Sequence, residues 1–338
     1  MGRARMPLIV VAVLLVAAAA LFVFGPREPV DLSVELDEAA IVADPVAYVA
    51  NREAAVPALR SEMAKEIVWA FPRTRAKTPL ALVYVHGFSA TKEELRPVPD
   101  LVAEALGANL FLTRLTGHGA NGEAMAGATV NDWVNDIAEA LAVAETLGER
   151  TVVIGTSTGA TLAALAATEP GLRDRMDALV QISPNYKVRN RLAFVLDLPF
   201  AEWLAPTLGG AERSFETVNE LHARNWTSRY PTVAALPMAA LLRETGSRTF
   251  EGIEIPTLFV FDEADQVVDH AATRDIAARW GAATGVRVNI ELVTDSDDPN
   301  RHVLAGESLS PSTSEKVARL IAAWIDGLPF AAEPAPAS

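Results

Sequence analysis

The chain has no cysteine among its 338 residues. Disulfides, thiolate metal sites, a cysteine nucleophile and a lipid-modified cysteine anchor are all excluded. An extracytoplasmic location stays open, because a domain of this size is stable without covalent staples. Basic residues are scarce beside acidic ones, 29 against 43, and the net charge is -14. A nucleic-acid partner is thereby excluded, since phosphate binding needs clustered Lys and Arg. Adhesion to anionic lipid through a basic face is disfavoured for the same reason. Histidine is also scarce, with five residues and no ligand-like spacing to carboxylates, so no metal or organic cofactor is expected. No internal repeat is visible.

What the chain has is apolar mass, 50% of its residues, enough for a sizeable core. Part of that mass is an uncharged run from Leu8 to Phe24, close to the ~20 residues that span a bilayer as a helix. Arg3 and Arg5 precede it, which keeps the short N-terminus in the cytoplasm and exports the rest. Residues 1–25 are read as a membrane anchor on an extracytoplasmic, periplasmic domain. A cleaved signal with secretion is the alternative, although the alanines at 17–20 are followed by four more apolar residues. A buried core helix is disfavoured, because the run has no amphipathic face.

Residues 26–60 read as a linker and a helix, the helix running from Asp44-Pro45 through Leu59. Strands and helices then alternate. Strands are expected at 66–70, 80–85, 109–113, 151–154, 178–182, 257–261 and 288–293. Helices are expected at 93–106, broken near Pro97 and Pro99, and at 130–147, 160–168, 269–280 and 314–324. Such alternation builds a mainly parallel central sheet with helices on both faces. Residues 61–183 and 255–328 form that core. The segment 184–254 breaks the rhythm with several prolines and aromatics, helical spacing and no clear strand, and is read as a helical cap or lid inserted over one end of the sheet. Residues 329–338, ending Glu-Pro-Ala-Pro-Ala-Ser, read as a disordered tail.

In such sheets reactive residues gather at the carboxyl ends of the strands. Ser157 stands there, in Gly155-Thr-Ser-Thr-Gly159, just past one strand and at the start of a helix. The two glycines permit a sharp turn, and the helix N-terminus adds positive potential for a developing oxyanion. By chance alone the pattern arises roughly once in ten chains of this length; the strand before it and the helix after it give it weight. A serine hydroxyl needs a base, and the base needs an orienting acid. With the chain order serine, acid, histidine, His86 and His118 come too early, His222 lies in the cap, and His270 begins a helix. His302, nine residues past the last strand, remains. The loop after Phe261 offers Asp262, Glu263, Asp265 and Asp269. Asp265 is favoured over Asp262, which sits near enough to the strand to cap its turn. Two backbone donors for the oxyanion are expected from Thr158 and Phe88. Gly87 allows close approach of that second loop, and His86 shapes it.

Taken together, Val85-His-Gly-Phe88, Leu115-Thr-Gly-His-Gly119, Gly155-Thr-Ser-Thr-Gly159, Asp262-Glu-Ala-Asp-Gln-Val-Val268 and Arg301-His-Val-Leu304 resemble the α/β-hydrolase superfamily. The branch is the one holding monoacylglycerol lipases, carboxylesterases and serine aminopeptidase-like hydrolases. The resemblance covers residues 66–325 or so. It implies Ser157, Asp265 and His302 as a triad, Phe88 and Thr158 at the oxyanion, and His86, Gly87 and His118 at the substrate pocket. It departs at the threonines flanking Ser157 and at Asp262, where a glycine is common. The activity implied is that of a serine hydrolase, and the aromatic-rich cap, Phe88 at the site mouth and the apolar N-terminus point to a small-molecule or lipid-like ester with an apolar acyl group as substrate. Alternatives are an acyltransferase using the same triad, a peptidase or amidase, and a non-catalytic binding module.

Overall fold

The computed structural model describes residues 5–331. Its strands are β1 (Glu66–Val68), β2 (Thr78–Val85), β3 (Asn109–Leu112), β4 (Gly148–Thr156), β5 (Ala178–Ile182), β6 (Glu212–Ser214), β7 (Arg229–Pro231), β8 (Thr257–Phe261) and β9 (Val288–Leu292). Its helices are α1 (Arg5–Phe24), α2 (Glu38–Ala43), α3 (Pro45–Ala54), α4 (Val98–Leu106), α5 (Gly122–Ala126), α6 (Val130–Leu147), α7 (Thr158–Ala166), α8 (Pro170–Arg173), α9 (Ala201–Gly209), α10 (Glu220–Asn225), α11 (Leu236–Gly246), α12 (His270–Arg279) and α13 (Ser314–Asp326).

Seven strands form one sheet in the order β1-β3-β2-β4-β5-β8-β9. Only the β1–β3 pair is antiparallel. This is the mainly parallel sheet expected from the alternation, in the α/β-hydrolase form that the resemblance implied. The inner strands β3, β5 and β8 are buried along their whole length and β2 and β4 nearly so, which explains their apolar runs, while the edge strands β1 and β9 are only partly buried. In β2, Ala81, Val83 and Val85 face a core closed by Trp133, Ile137 and Leu141 of α6 and Leu162 of α7. Leu80, Leu82 and Tyr84 face the opposite core, closed by Val98 and Val102 of α4 and Ile321 and Trp324 of α13. The register aligns Val85 with Gly155, Thr156 with Ile182, Ile182 with Val260, and Phe261 with Leu292. The loops that follow β2, β4, β5, β8 and β9 therefore emerge along one edge of the sheet.

Three expectations shift. The helix expected through Leu59 stops at Ala54. Pro57 has no N–H for the Glu53 carbonyl, which Val56 takes instead at 3.1 Å. The cap is not helical throughout: β6 and β7 pair as an antiparallel ribbon, each strand too short to show a period of two. Finally, among the described residues no helix is long and apolar enough to cross a membrane. The expected transmembrane anchor finds no support in the fold. Of the tail, Pro329–Ala331 form a single 3-10 turn, and residues 332–338 lie outside the described residues.

An ion cluster is buried where the segment before β1 meets the core. Arg114 grips both carboxylate oxygens of Glu53 at 2.7 and 2.8 Å, while Lys65 bridges Asp136 and Glu139. Asp136 also accepts the Thr116 N–H at 2.5 Å, and Arg114 donates to the His118 carbonyl at 3.3 Å. The cluster thus fixes the Gly117-His118-Gly119 turn. Removing one member would strand a buried charge, a change that destabilises by about 3–5 kcal/mol.

Candidate active site

The β4–α7 turn drives Ser157 into a left-handed backbone conformation, φ 52° and ψ -118°. Such strain in a residue with a side chain persists only where its surroundings enforce it. Here the Ser157 N–H is held by the Ile182 carbonyl at 2.9 Å, and the Ser157 carbonyl accepts the Asn185 N–H at 3.1 Å. Glycine at 155 is required by close approach: a Cβ there would lie 2.7 Å from the Ala160 Cα. Ser89, Ser183 and Arg301 share positive φ around the same site.

Ser157, His302 and Asp265 are brought together from three loops. The Ser157 Oγ lies 3.0 Å from His302 Nε2, and His302 Nδ1 lies 2.7 Å from Asp265 Oδ2. The other Asp265 oxygen accepts the N–H groups of Val267 and Val268 at 2.7 and 2.9 Å. Both carboxylate oxygens are therefore occupied and the acid is fixed in orientation. Asp262 does cap its turn, accepting the Ala264 N–H at 2.8 Å. Its second oxygen takes Arg301 Nε at 2.8 Å, which cross-links the acid loop to the histidine loop. Burial alone would lower the His302 pKa. The hydrogen bond and charge of Asp265, helped by Glu94 and Asp298, outweigh burial and raise it.

The loop after β2 carries the second set of groups. The Gly87 N–H donates to Glu94 Oε2 at 2.7 Å, so it is not free for a ligand. The Phe88 N–H has no acceptor among the described residues, and the Thr158 N–H is a first-turn helix donor without an intrahelical acceptor. These are the two backbone donors expected beside Ser157. His86 is fully buried with both ring nitrogens engaged, Nδ1 against the Gly87 carbonyl at 2.8 Å and Nε2 accepting the Leu115 N–H at 3.1 Å. Burial, then the neighbouring His118, holds its pKa well below the usual imidazole value. His118 is buried too, and burial lowers its pKa to about 4. Both rings stand behind Phe88 as its support and present no exposed surface to a ligand. Phe88 itself packs edge-on against Tyr230 of the cap, with ring centroids 5.4 Å apart.

Sequence reasoning missed Glu94, Asp298 and Ser183. Glu94 lies in the stretch Lys92-Glu93-Glu94, which reads as solvated charge, yet it is 2% exposed and accepts Tyr84 Oη–H as well as Gly87 N–H. Burial raises its pKa, opposed by the Gly87 hydrogen bond, the His302 charge and Tyr84. Asp298 receives the N–H groups of His302 and Val303, both at 2.9 Å, and Ser183 Oγ donates to the His302 carbonyl at 2.7 Å. Nothing in composition sets Asp298 apart from Asp295 or Asp297. Among the described residues no group of His, Asp and Glu side chains is arranged to hold a metal ion.

Ser157 is 6% and His302 8% exposed, and the segment 184–254 packs beside them through Tyr230 on Phe88. Its α10 region is tied to both flanking loops. Thr227 N–H donates to the Ser89 carbonyl at 2.7 Å and Thr91 Oγ to the Asn225 carbonyl at 3.0 Å. Asn219 and Asn225 donate to the carbonyl and hydroxyl of Ser308 at 2.7 and 2.9 Å.

Residues 76–290 match the family model described as serine aminopeptidase, S33. The chain is 36% identical over 84 residues to the thermostable monoacylglycerol lipase of Bacillus sp. (strain H-257), a match covering 25% of this chain and 33% of that protein. The chain thus spans about a third of the length of that curated relative. Among solved structures, one reported with LipS and LipT, two metagenome-derived lipolytic enzymes, superposes with a TM-score of 0.61 at 18% identity, covering 79% of this chain and 98% of the other. A soluble variant of monoglyceride lipase from Saccharomyces cerevisiae superposes at 0.59 and 12% identity, covering 78% and 90%. The Paleococcus ferrophilus monoacylglycerol lipase superposes at 0.54 and 16% identity, covering 77% and 97%. These structural likenesses are likenesses of fold.

Proposed function

Because the chain belongs to the serine aminopeptidase S33 family of hydrolases, we propose that it cleaves carboxylic esters, with Ser157 as nucleophile, His302 as general base and Asp265 orienting it. The observation that carries this reading is the continuous relay Ser157 Oγ–His302 Nε2–His302 Nδ1–Asp265 at 3.0 and 2.7 Å. In it, His302 Nε2 takes the serine proton as Oγ attacks the ester carbonyl. The Phe88 and Thr158 N–H groups receive the oxyanion. The imidazolium then returns the proton to the departing alcohol, leaving an acyl-serine. Water, deprotonated by the same nitrogen, attacks next and releases the carboxylic acid.

The preferred acyl group in this reading is apolar. Phe88, Tyr230 and the fully buried Trp133 line up behind the nucleophile's partner loop. The location follows from the same chain. What supports it is exposure: α1 exposes apolar side chains from Ile9 to Phe24, and the segment 184–254 exposes Leu192, Phe194, Trp203 and Leu208. The reading puts the domain outside the cytoplasm, with α1 either retained or removed as a signal.

Two measurements test this. p-Nitrophenyl esters of rising acyl length should be hydrolysed with kcat/KM increasing beyond acetate, and a fluorophosphonate should label Ser157. Turnover of peptide p-nitroanilides alone would overturn the ester reading, and absence of an adduct on Ser157 would overturn the hydrolase. Cell fractionation with N-terminal sequencing of the mature chain decides the location; recovery of an intact chain in the cytosol would contradict it.

A further inference from the structure

A second cavity, of 540 Å³, opens between the first segment of the cap and α11, and neither Ser157, His302, Phe88 nor Thr158 lines it. That volume is within the range of small-molecule sites, about 300–1,000 Å³. Its deep wall is apolar, built from Leu196, Met238 and Leu242. Its mouth is cationic, in a chain whose net charge is -14. Lys187 is neutralised by Asp269 at 2.8 Å, and Arg243 by Asp197. Arg189 and Arg191 remain, and neither has a carboxylate partner among the described residues. The Arg189 guanidinium is spent on the Asp265 carbonyl at 2.6 Å. Arg191 has no side-chain hydrogen bond at all among the described residues and is exposed. An apolar pocket with an unneutralised guanidinium at its rim is complementary to an amphiphile with an anionic head.

The position of the cavity names the source of that amphiphile. Both members of the Arg243–Asp197 pair also hold the chain emerging from α1. Arg27 Nε donates to the Asp197 carbonyl at 3.1 Å, and Arg243 donates to the Glu28 carbonyl at 2.8 Å. Phe200 N–H donates to the Pro26 carbonyl at 2.7 Å. The mouth thus sits at the foot of the exposed apolar helix, where single-chain lipids would gather. On its inner side the same segment is stitched to the loop of Asp265. Arg189 N–H donates to the Val267 carbonyl and Asp269 N–H to the Lys187 carbonyl, at 2.9 and 2.8 Å, with Val188 and Val268 bridged antiparallel.

We propose that this cavity binds a medium- or long-chain carboxylate, the acid that ester hydrolysis releases, with Arg191 holding the carboxylate and the Leu196–Met238–Leu242 wall holding the chain. Bound there, the carboxylate competes with the Asp265 carbonyl for Arg189 and loosens the acid loop, so the product restrains turnover from outside the cleft. The identity of the ligand as product rests on the ester-hydrolase reading; the existence of the site does not.

The test is equilibrium binding of decanoate and of decyltrimethylammonium to the full chain carrying Ser157→Ala, which needs no turnover. Decanoate should bind with 1:1 stoichiometry and at least tenfold tighter than the cation. Arg191→Glu, a surface change that leaves the core intact, should weaken decanoate at least tenfold and leave hydrolysis of p-nitrophenyl acetate unchanged. Leu242→Trp, which fills the cavity, should abolish binding of both. In the enzyme with Ser157 intact, decanoate should lower kcat for p-nitrophenyl acetate without raising KM, and Arg191→Glu should relieve this. Equal affinity for both ions, or decanoate binding indifferent to Arg191→Glu, would overturn the site. Competitive inhibition would place decanoate in the cleft and overturn the restraint from outside. Failure to hydrolyse any ester would strike the reading above while the binding result still decided the cavity.

Discussion

At the scale of single residues, the proposed site depends on Ser157 and His302 acting as one unit, because proton removal and nucleophilic attack are a single event. Ser157→Ala and His302→Ala should each lower kcat/KM for a p-nitrophenyl ester by on the order of 10⁴-fold or more, and the double variant should lose little beyond either. Losses that multiply in the double variant would show independent roles. Glu94 is a different case. It holds the Gly87 N–H, so the next N–H along the chain, that of Phe88, is the one left facing the site. Glu94→Gln keeps an acceptor for Gly87 and should cost kcat less than tenfold. Glu94→Ala removes it and should lower kcat on the order of 10²-fold, the loss expected for one displaced oxyanion donor. Equal effects of the two substitutions would assign Glu94 to packing alone. Glu94 was invisible in the sequence for a physical reason. Whether a carboxylate between two strands is solvated or buried is decided by what folds over it, here Tyr84 from a sheet strand and Gly306 from a distant loop, and no local pattern records that.

At the scale of elements, the outline of the fold was legible because buried parallel strands must be continuously apolar. The central strands β2, β4, β5 and β8 announce themselves this way, whereas the edge strands β1 and β9 carry polar residues and are only partly buried, and Gly155 and Gly159 bracket the turn that holds Ser157. Ser157 and Asp265 followed from strand order, since each stands just past a strand end, and His302 followed by elimination among five histidines, in the longer loop after β9. The elements that escaped are those whose stability is tertiary: α2 and α5, each under two turns, and the ribbon β6–β7, with three residues a side. The cap shows why this matters. Its α10 region has little helix of its own, yet Asn219, Asn225 and Thr227 tie it to the Phe88 loop and the His302 loop together. Asn225→Ala leaves the buried Ser308 hydroxyl without its donor, a loss of about 1–3 kcal/mol. Amide hydrogen exchange should then rise in residues 219–227 and in residues 86–92 at once. A rise confined to the cap would mean that the strap does not couple the two loops.

At the scale of the whole molecule, charge and burial together set the pH range over which the fold holds. His118 is fully buried, its pKa lowered to about 4 by burial, and burial, then the neighbouring His118, lowers that of the adjacent His86 too. In the unfolded chain both return to about 6.5. Below that value the unfolded state binds more protons than the folded state, so stability is present above pH ~6.5 and is lost as pH falls toward 4. For His118 alone the loss approaches roughly 3 kcal/mol by pH 4. The melting temperature should fall between pH 7 and 4.5, and His118→Phe should flatten that fall; an unchanged slope in the variant would assign the acid sensitivity elsewhere.

The proposed nucleophile and its base are 145 residues apart in the chain, and α13, which closes the second core, follows both. During synthesis the ribosome must therefore deliver almost the entire polypeptide before Oγ has a base to activate it. A nascent chain, or one truncated before residue 302, can bury strands and even form the Ser157 turn while remaining inert. For a protein proposed to attack esters, this postpones reactivity until translation is nearly complete, so unfinished chains would carry no esterase activity into the compartment that makes them.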